Sequence, residues 1–288
     1  VMTNPRIRFT LAATLVSGLL LVGCGSGNGF TVDPAVQAGV NPYVYSWSAD
    51  DESVTVDRDY LLYVPDEYLD DPAQPWPLVL YLHGSSETSS LEASAQADLP
   101  RLVRDIPYRF LMVAPHATEA DWYDGAWASD EWTGYLADLI SHVGTQVSVD
   151  SDRIYVTGAS LGGNGAWAMA SARPSLPAAV VVLAGYWDLC PECSDWPEDW
   201  SDWYPDNVCE MADTPTWVFH SMHDFVVDQE ASQVMVDQLQ ACGSHVRHTW
   251  YDDNAHSILG RVFADIEVVD WMLSQGHDGD WPALPDDW

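Results

Sequence analysis

The sequence predicts an α/β fold, a mostly parallel central sheet with helices on both faces. Three observations point there. Short continuous apolar runs, Pro77-Leu-Val-Leu-Tyr-Leu82, Phe110-Leu-Met-Val-Ala114 and Ala178-Ala-Val-Val-Val-Leu-Ala184, read as strands buried on both sides. Longer segments with helical periodicity alternate with them, at 130–147, 228–242 and 260–274. And the strand Arg153-Ile-Tyr-Val-Thr157 turns sharply through Gly158-Ala-Ser-Leu-Gly162 straight into a helical pattern.

Taken in order, the chain opens with Arg6 and Arg8, followed by an apolar core from Leu11 to Val22. That core is too short to span a bilayer comfortably and ends in Leu21-Val-Gly-Cys24. It resembles the lipobox of bacterial lipoproteins, which implies a signal peptide over 1–23, lipid on Cys24 and an exported, membrane-anchored protein. Residues 24–42 read as a flexible tether, led by Gly25-Ser-Gly-Asn-Gly29. The main domain is expected over 43–275. Ser53 to Pro65 reads as two short edge strands. Residues 91–104 look helical with a break at Pro100. Thr216-Trp-Val-Phe-His220 and Val246 to Tyr251 read as the last two strands. A long Trp- and Cys-rich segment, 185–213, interrupts the pattern, and 276–288 reads as a loose tail.

The formal net charge is −34, from 44 acidic residues against ten Arg and no Lys. Such a surface repels polyanions, which argues against nucleic acid and anionic membranes as partners. Cys24 aside, four cysteines remain, an even number that suggests two disulfides in an exported chain. Three pairings are possible. Cys242 ends a helix, and Cys209 precedes the strand before it, so these two could meet below the sheet, leaving Cys190 and Cys193 to close locally. No second ligand pair accompanies Cys190 and Cys193 at zinc spacing, and the acids of 195–202 do not match a Ca²⁺ loop. No metal is expected.

The chemistry gathers around Ser160. In G-x-S-x-G, a strand reverses into a helix so tightly that the residues two before and two after the apex must lack side chains. The apex hydroxyl is thereby exposed, and the Leu161 amide at the helix N-terminus faces whatever Ser160 attacks. A serine nucleophile needs a base and an orienting carboxylate. Of nine His, His256 stands in a loop between the last strand and the last helix, Asp252-Asp-Asn-Ala-His-Ser257. Asp224, just past the strand ending at His220, is the expected acid, with Asp228 as the alternative. A second oxyanion amide is expected from the loop after Leu82, at Ser85. Trp122, Trp127 and Trp187 are the candidate substrate contacts.

Three stretches carry a family resemblance: Tyr60-Leu-Leu-Tyr-Val-Pro65, Pro77 through His83-Gly84, and Asp152 through Gly163. They resemble the α/β-hydrolase esterases, above all the polyhydroxybutyrate-depolymerase and feruloyl-esterase-like group, which includes chains described as predicted peptidases. His220-Ser-Met-His-Asp-Phe-Val-Val227 is similar to that group's H-G-x-x-D-x-x-V acid loop, with Ser221 in place of Gly. The resemblance covers roughly residues 53 to 275. It implies the α/β-hydrolase fold, carboxylic-ester hydrolysis through an acyl-enzyme, no cofactor, and Ser160, Asp224 and His256 as nucleophile, acid and base. Polymer- or carbohydrate-linked esters are the substrates it suggests. The alternatives are peptide hydrolysis on the same triad and a catalytically silent, glycan-binding lipoprotein. The 185–213 segment has no counterpart in the resemblance.

Overall fold

The computed structural model describes residues 36–48, 55–123, 127–187 and 204–277. The lipobox with Cys24, the Cys190–Cys193 pair, most of the 185–213 segment and the tail beyond 277 lie outside the described residues.

Eight strands among the described residues form one sheet in the order β1-β2-β4-β3-β5-β6-β7-β8. They are β1 (Gly39–Ser48), β2 (Thr55–Val64), β3 (Trp76–Leu82), β4 (Leu111–Pro115), β5 (Val149–Ala159), β6 (Ala179–Leu183), β7 (Thr216–Ser221) and β8 (Arg247–Tyr251). β2 pairs antiparallel with β1 and with β4, and every other pairing is parallel. The helices are α1 (Leu91–Gln96), α2 (Asp98–Asp105), α3 (Glu119–Tyr123), α4 (Asp130–Gln146), α5 (Leu161–Ala172), α6 (Gln229–Ala241), α7 (Leu259–Phe263) and α8 (Ile266–Leu273).

Period-two alternation sends each strand's side chains to two cores. From β3, Leu78, Leu80 and Leu82 join one core together with Trp132 and Leu136 of α4, Trp167 of α5 and Met235 of α6. Val79 and Tyr81 join the other, with Leu99 of α2, Phe263 of α7 and Met272 of α8. All seven β3 residues are buried, which is why this strand reads as an unbroken apolar run.

Four expectations change. Within the stretch read as two edge strands, Thr55–Val64 is a single ten-residue strand, β2, and its partner β1 begins at Gly39, inside the segment read as tether. Pro42 in β1 is tolerated because an edge strand has one unpaired side. The break in 91–104 falls at Ala97, and Pro100 sits in the first turn of α2, where no intrahelical N–H bond is lost. The 260–274 helix is split: α7 ends at Phe263, and Asp265 caps α8 by accepting from the Glu267 N–H.

Cys209 and Cys242 are joined by a disulfide, with Cα atoms 5.3 Å apart across 33 residues of sequence. The bond ties the start of the strap before β7 to the end of α6. Its removal, by reduction or by Cys209→Ala with Cys242→Ala, is expected to lower stability by about 2–4 kcal/mol. Urea unfolding checks this, and an unchanged midpoint would contradict it.

Candidate active site

Every segment of the site follows the carboxyl end of a parallel strand, where open α/β sheets hold their ligands. At the head of β5, Ser160 has φ 56° and ψ −118°, a region that disfavours residues with a Cβ. What holds it there is close backbone packing. A Cβ on Gly158 would lie 2.2 Å from the Gly162 carbonyl oxygen, and one on Gly162 would lie 1.9 Å from the Leu82 oxygen. The Ser160 N–H donates to Leu183 O at 2.9 Å, and the Asn164 N–H donates to Ser160 O at 3.0 Å. The strain, of order 1–3 kcal/mol, is therefore imposed from β3, β6 and α5. Leu161 is the first residue of α5, so its N–H has no intrahelical acceptor.

The loop after β3 lies against this elbow. A Cβ on Gly84 would sit 3.8 Å from Ser160 Cβ. His83 fixes the loop: its Nδ1–H donates to Gly84 O at 2.7 Å, and its Nε2 accepts the Ala117 N–H at 3.0 Å. That pattern requires a neutral ring, and burial above all pushes the His83 pKa down to about 4. Ser85 opens a short 3-10 turn, Ser85–Glu87, so its amide has no acceptor within the turn. Trp127 is fully buried and donates its indole N–H to His83 O at 3.2 Å. It also fills the space beside Gly165, where a Cβ would meet Trp127 Cβ at 2.4 Å. The structure thus gives Trp127 a buttressing place behind the loop; a substrate-facing place, as the sequence suggested, requires exposure that this side chain lacks. Trp187 is half-buried against the core. The Trp122 side chain lies outside the described residues.

Past β7, the residues Met222 to Val227 form the acid loop. Asp224 Oδ1 accepts the N–H groups of Val226 at 2.8 Å and Val227 at 3.2 Å. Its Oδ2 accepts His256 Nδ1–H at 2.7 Å, and the carboxylate has no exposed surface. Burial disfavours its charge, but the hydrogen bonds from His220, His256 and the Val226 amide outweigh that and hold the carboxyl well below the usual carboxylate range. The base loop after β8 is pinned to the acid loop by two backbone bonds, Met222 N–H to Tyr251 O and His223 N–H to Asp253 O. Asp253 in turn accepts Arg261 at 2.6 Å and the Ala255 N–H at 3.1 Å. The Arg261 guanidinium holds the Asp253 carboxyl down at about 2 and stacks on the Tyr251 ring. Asp228, the alternative acid, instead caps α6 through the Glu230 N–H.

The structure therefore joins Asp224 to His256 directly and sets the Gly84 loop against Ser160. Among the described residues His256 Nδ1 is bonded to Asp224, and Ser160 Oγ makes no hydrogen bond with the His256 ring. Two nearby residues are given no role by the sequence reading. Glu87 is buried behind Gly84, with one carboxyl oxygen lacking a partner, and burial raises its pKa. His220 is buried beside Asp224. The sequence gives no sign that Glu87 is buried, and although His220 heads the acid-loop motif, its contact with Ser232 arrives from α6.

Comparison with known proteins adds the decisive observation. The model of the Esterase family, described as "Putative esterase", matches residues 52–281. The chain belongs to the Esterase family. The match takes in the Gly84 loop, Ser160, Asp224 and His256 of this esterase-family chain. "Feruloyl esterase C" of Emericella nidulans is 28% identical over 130 residues, 44% of this chain and 46% of that protein. "Probable feruloyl esterase C" of Aspergillus flavus is 30% identical over 131 residues, 45% of this chain and 47% of that protein. The alignments thus span about half the length of these relatives. Among solved structures, a thermostable esterase superposes with a TM-score of 0.64 at 23% identity, covering 82% of this chain and 63% of that one. A ferulic acid esterase superposes with a TM-score of 0.60 at 13% identity, covering 82% and 99%. These likenesses show the α/β-hydrolase fold.

Proposed function

We propose that this chain is a serine carboxylic-ester hydrolase acting through an acyl-enzyme. The observation that carries the proposal is Ser160, held in a strained conformation between two glycines at the head of β5. Such strain persists only where the surroundings over-determine it, and it presents the hydroxyl above the sheet. Ser160 Oγ attacks the ester carbonyl while His256 Nε2 takes its proton. Asp224 keeps the His256 proton on Nδ1 and stabilises the imidazolium. The Leu161 and Ser85 amides receive the oxyanion. The alcohol leaves with the proton from His256, and water then resolves the acyl-enzyme by the same steps. This chemistry calls on no cofactor.

For substrate, we favour aryl esters linked to carbohydrate or polymer, of the feruloyl type, over short acetyl esters and polyesters. The names of the relatives support this, and so does the rim of the site. Met222, Phe225 and Val226 flank Asp224 with large exposed apolar surfaces, 79% exposed for Phe225. An aryl acyl group would cover such a face at a gain of about 25 cal/mol per Å² buried. We place the enzyme outside the cytoplasm, anchored through lipid on Cys24.

Steady-state rates on methyl ferulate, a p-nitrophenyl ester chain-length series, acetylated xylan and a peptide anilide test the reading. The expected result is turnover of the esters, methyl ferulate ahead of acetylated xylan, with the anilide untouched. Anilide cleavage exceeding that of every ester would replace the proposal with peptide hydrolysis.

A further inference from the structure

His220 lies in β7, four residues before Asp224, and has no exposed surface. Its Nδ1 is 2.7 Å from Ser232 Oγ on α6, and Ser232 Oγ is 2.8 Å from Gly185 O. Its Nε2 is 3.1 Å from Val227 O and 3.4 Å from Asp224 Oδ2. Protons decide how this network works. Ser232 has one hydroxyl proton. If it goes to Gly185 O, Nδ1 must donate to Ser232; if it goes to Nδ1, the ring accepts there. In both cases Nε2 faces only acceptors, a backbone carbonyl and an ionised carboxylate. A fully satisfied ring therefore carries a proton on Nε2 in both cases, as the neutral tautomer when Ser232 donates to Nδ1 and as an imidazolium when Ser232 donates to Gly185 O.

We infer that His220 is a positioning residue, whose Nε2–H shares the Asp224 carboxylate with His256 and so sets the basicity of His256. Oδ2 accepts His256 Nδ1–H at 2.7 Å and stands 3.4 Å from His220 Nε2, whose nearer acceptor is Val227 O at 3.1 Å, while Oδ1 is occupied by the Val226 and Val227 amides. All the strong directions of the carboxylate are thus assigned, which fixes its aim at His256 Nδ1. The donation from His220 also withdraws charge from Asp224, leaving less to stabilise a protonated His256. A less basic His256 is deprotonated, and ready as a base, at lower pH. The same network reaches the nucleophile helix. Gly185 packs on Gly163 so closely that a Cβ on Gly163 would meet Gly185 Cα at 2.7 Å. Ser232 and His220 thereby tie the acid to the backbone beside Ser160 and to the first residue of the 185–213 segment.

Other charged groups bear on the same pair. Asp253 is committed to Arg261, His223 and Asp252 face each other at the surface, Asp228 caps α6, His83 is committed to Gly84 O and the Ala117 N–H, and Glu87 accepts from Ser86. None of these contacts Asp224 Oδ2.

The inference rests on the proposed Ser160, His256 and Asp224 mechanism. Its test is the pH profile of kcat/KM for a p-nitrophenyl ester, whose acid limb reports the base of the free enzyme. His220→Leu removes the donor at similar size, and the acid limb should move up by roughly half to one pH unit, with a lower kcat. His220→Gln can place its amide N–H where Nε2 stood, and the limb should return toward wild type. A merely structural role would lower rates at every pH and leave the limb in place, and that result, or His220→Gln matching His220→Leu, would overturn the inference. Wild-type long-range ¹H–¹⁵N spectra of the imidazoles give a check that needs no variant. They should show Nε2 of His220 protonated between about pH 5 and 8, and an unprotonated Nε2 would refute it. Loss of the mechanism itself would be seen separately, as turnover that survives Ser160→Ala.

Discussion

Ser160→Ala is expected to lower kcat for ester hydrolysis by roughly 10⁶-fold while the protein stays folded. The nucleophile, base and acid act as one unit, so removing the attacking oxygen removes the covalent route whole. What remains is the slow attack of water assisted by the Leu161 and Ser85 amides. Alanine keeps a Cβ at φ 56°, so the backbone strain stays and stability should match wild type. Ser160→Gly makes the complementary case. It loses the same activity but relieves the strain, and its unfolding free energy should rise by about 1 kcal/mol. Circular dichroism, urea unfolding and steady-state kinetics on the three proteins read both effects. Ser160→Ala turning over within tenfold of wild type would exclude Ser160 as the nucleophile.

Asp224→Asn should cost about 10⁴-fold in kcat near neutral pH, for a reason specific to this loop. The Val226 and Val227 amides both donate to Oδ1. In the asparagine variant those two donors select the amide oxygen for that position. The NH₂ group is then forced into the place of Oδ2, facing His256 Nδ1 at the former 2.7 Å and His220 Nε2 on the other side. An NH₂ there donates to Nδ1, so the His256 proton moves to Nε2. The ring then presents a proton, and no lone pair, to Ser160. Imidazole ¹⁵N shifts would show the tautomer change directly, beside the kinetics. A variant with the wild-type tautomer and rate would mean that Asp224 does not orient His256. Acid has a related effect on the wild-type protein. The Asp224 pKa is depressed in the fold, so its contribution to stability is complete above the ordinary carboxylate range and is lost as pH falls through the lower folded value.

Local chemistry made the frame of this molecule readable from the chain. β3, β4 and β6 lie buried on both faces and carry unbroken apolar runs. The elbow shows in spacing because close packing there admits only Gly158 and Gly162. His256 stood out because it alone among the nine His fell between the last strand and the last helix. Long-range arrangement hid the rest. β1 carries Tyr43, Tyr45 and Trp47 at alternate positions, but Gly39, Asn41 and Pro42 fall in the segment read as tether, and only pairing with β2 makes a strand of it. His220 read as a strand residue, since Ser232 and Asp224 reach it from α6 and from the acid loop. Trp127 suggested an aromatic contact for substrate, yet its indole is used to brace His83. The gap between local pattern and tertiary partner accounts for each of these.

The central claim is that Ser160 is a nucleophile activated within this site. Labelling the wild-type protein with a fluorophosphonate and mapping the modified peptide tests it most directly. The account predicts one stoichiometric adduct, on the Oγ of Ser160, formed at a rate that follows the deprotonation of His256 and in step with loss of esterase activity. Full esterase activity with Ser160 unlabelled, or an adduct confined to another serine, would contradict it.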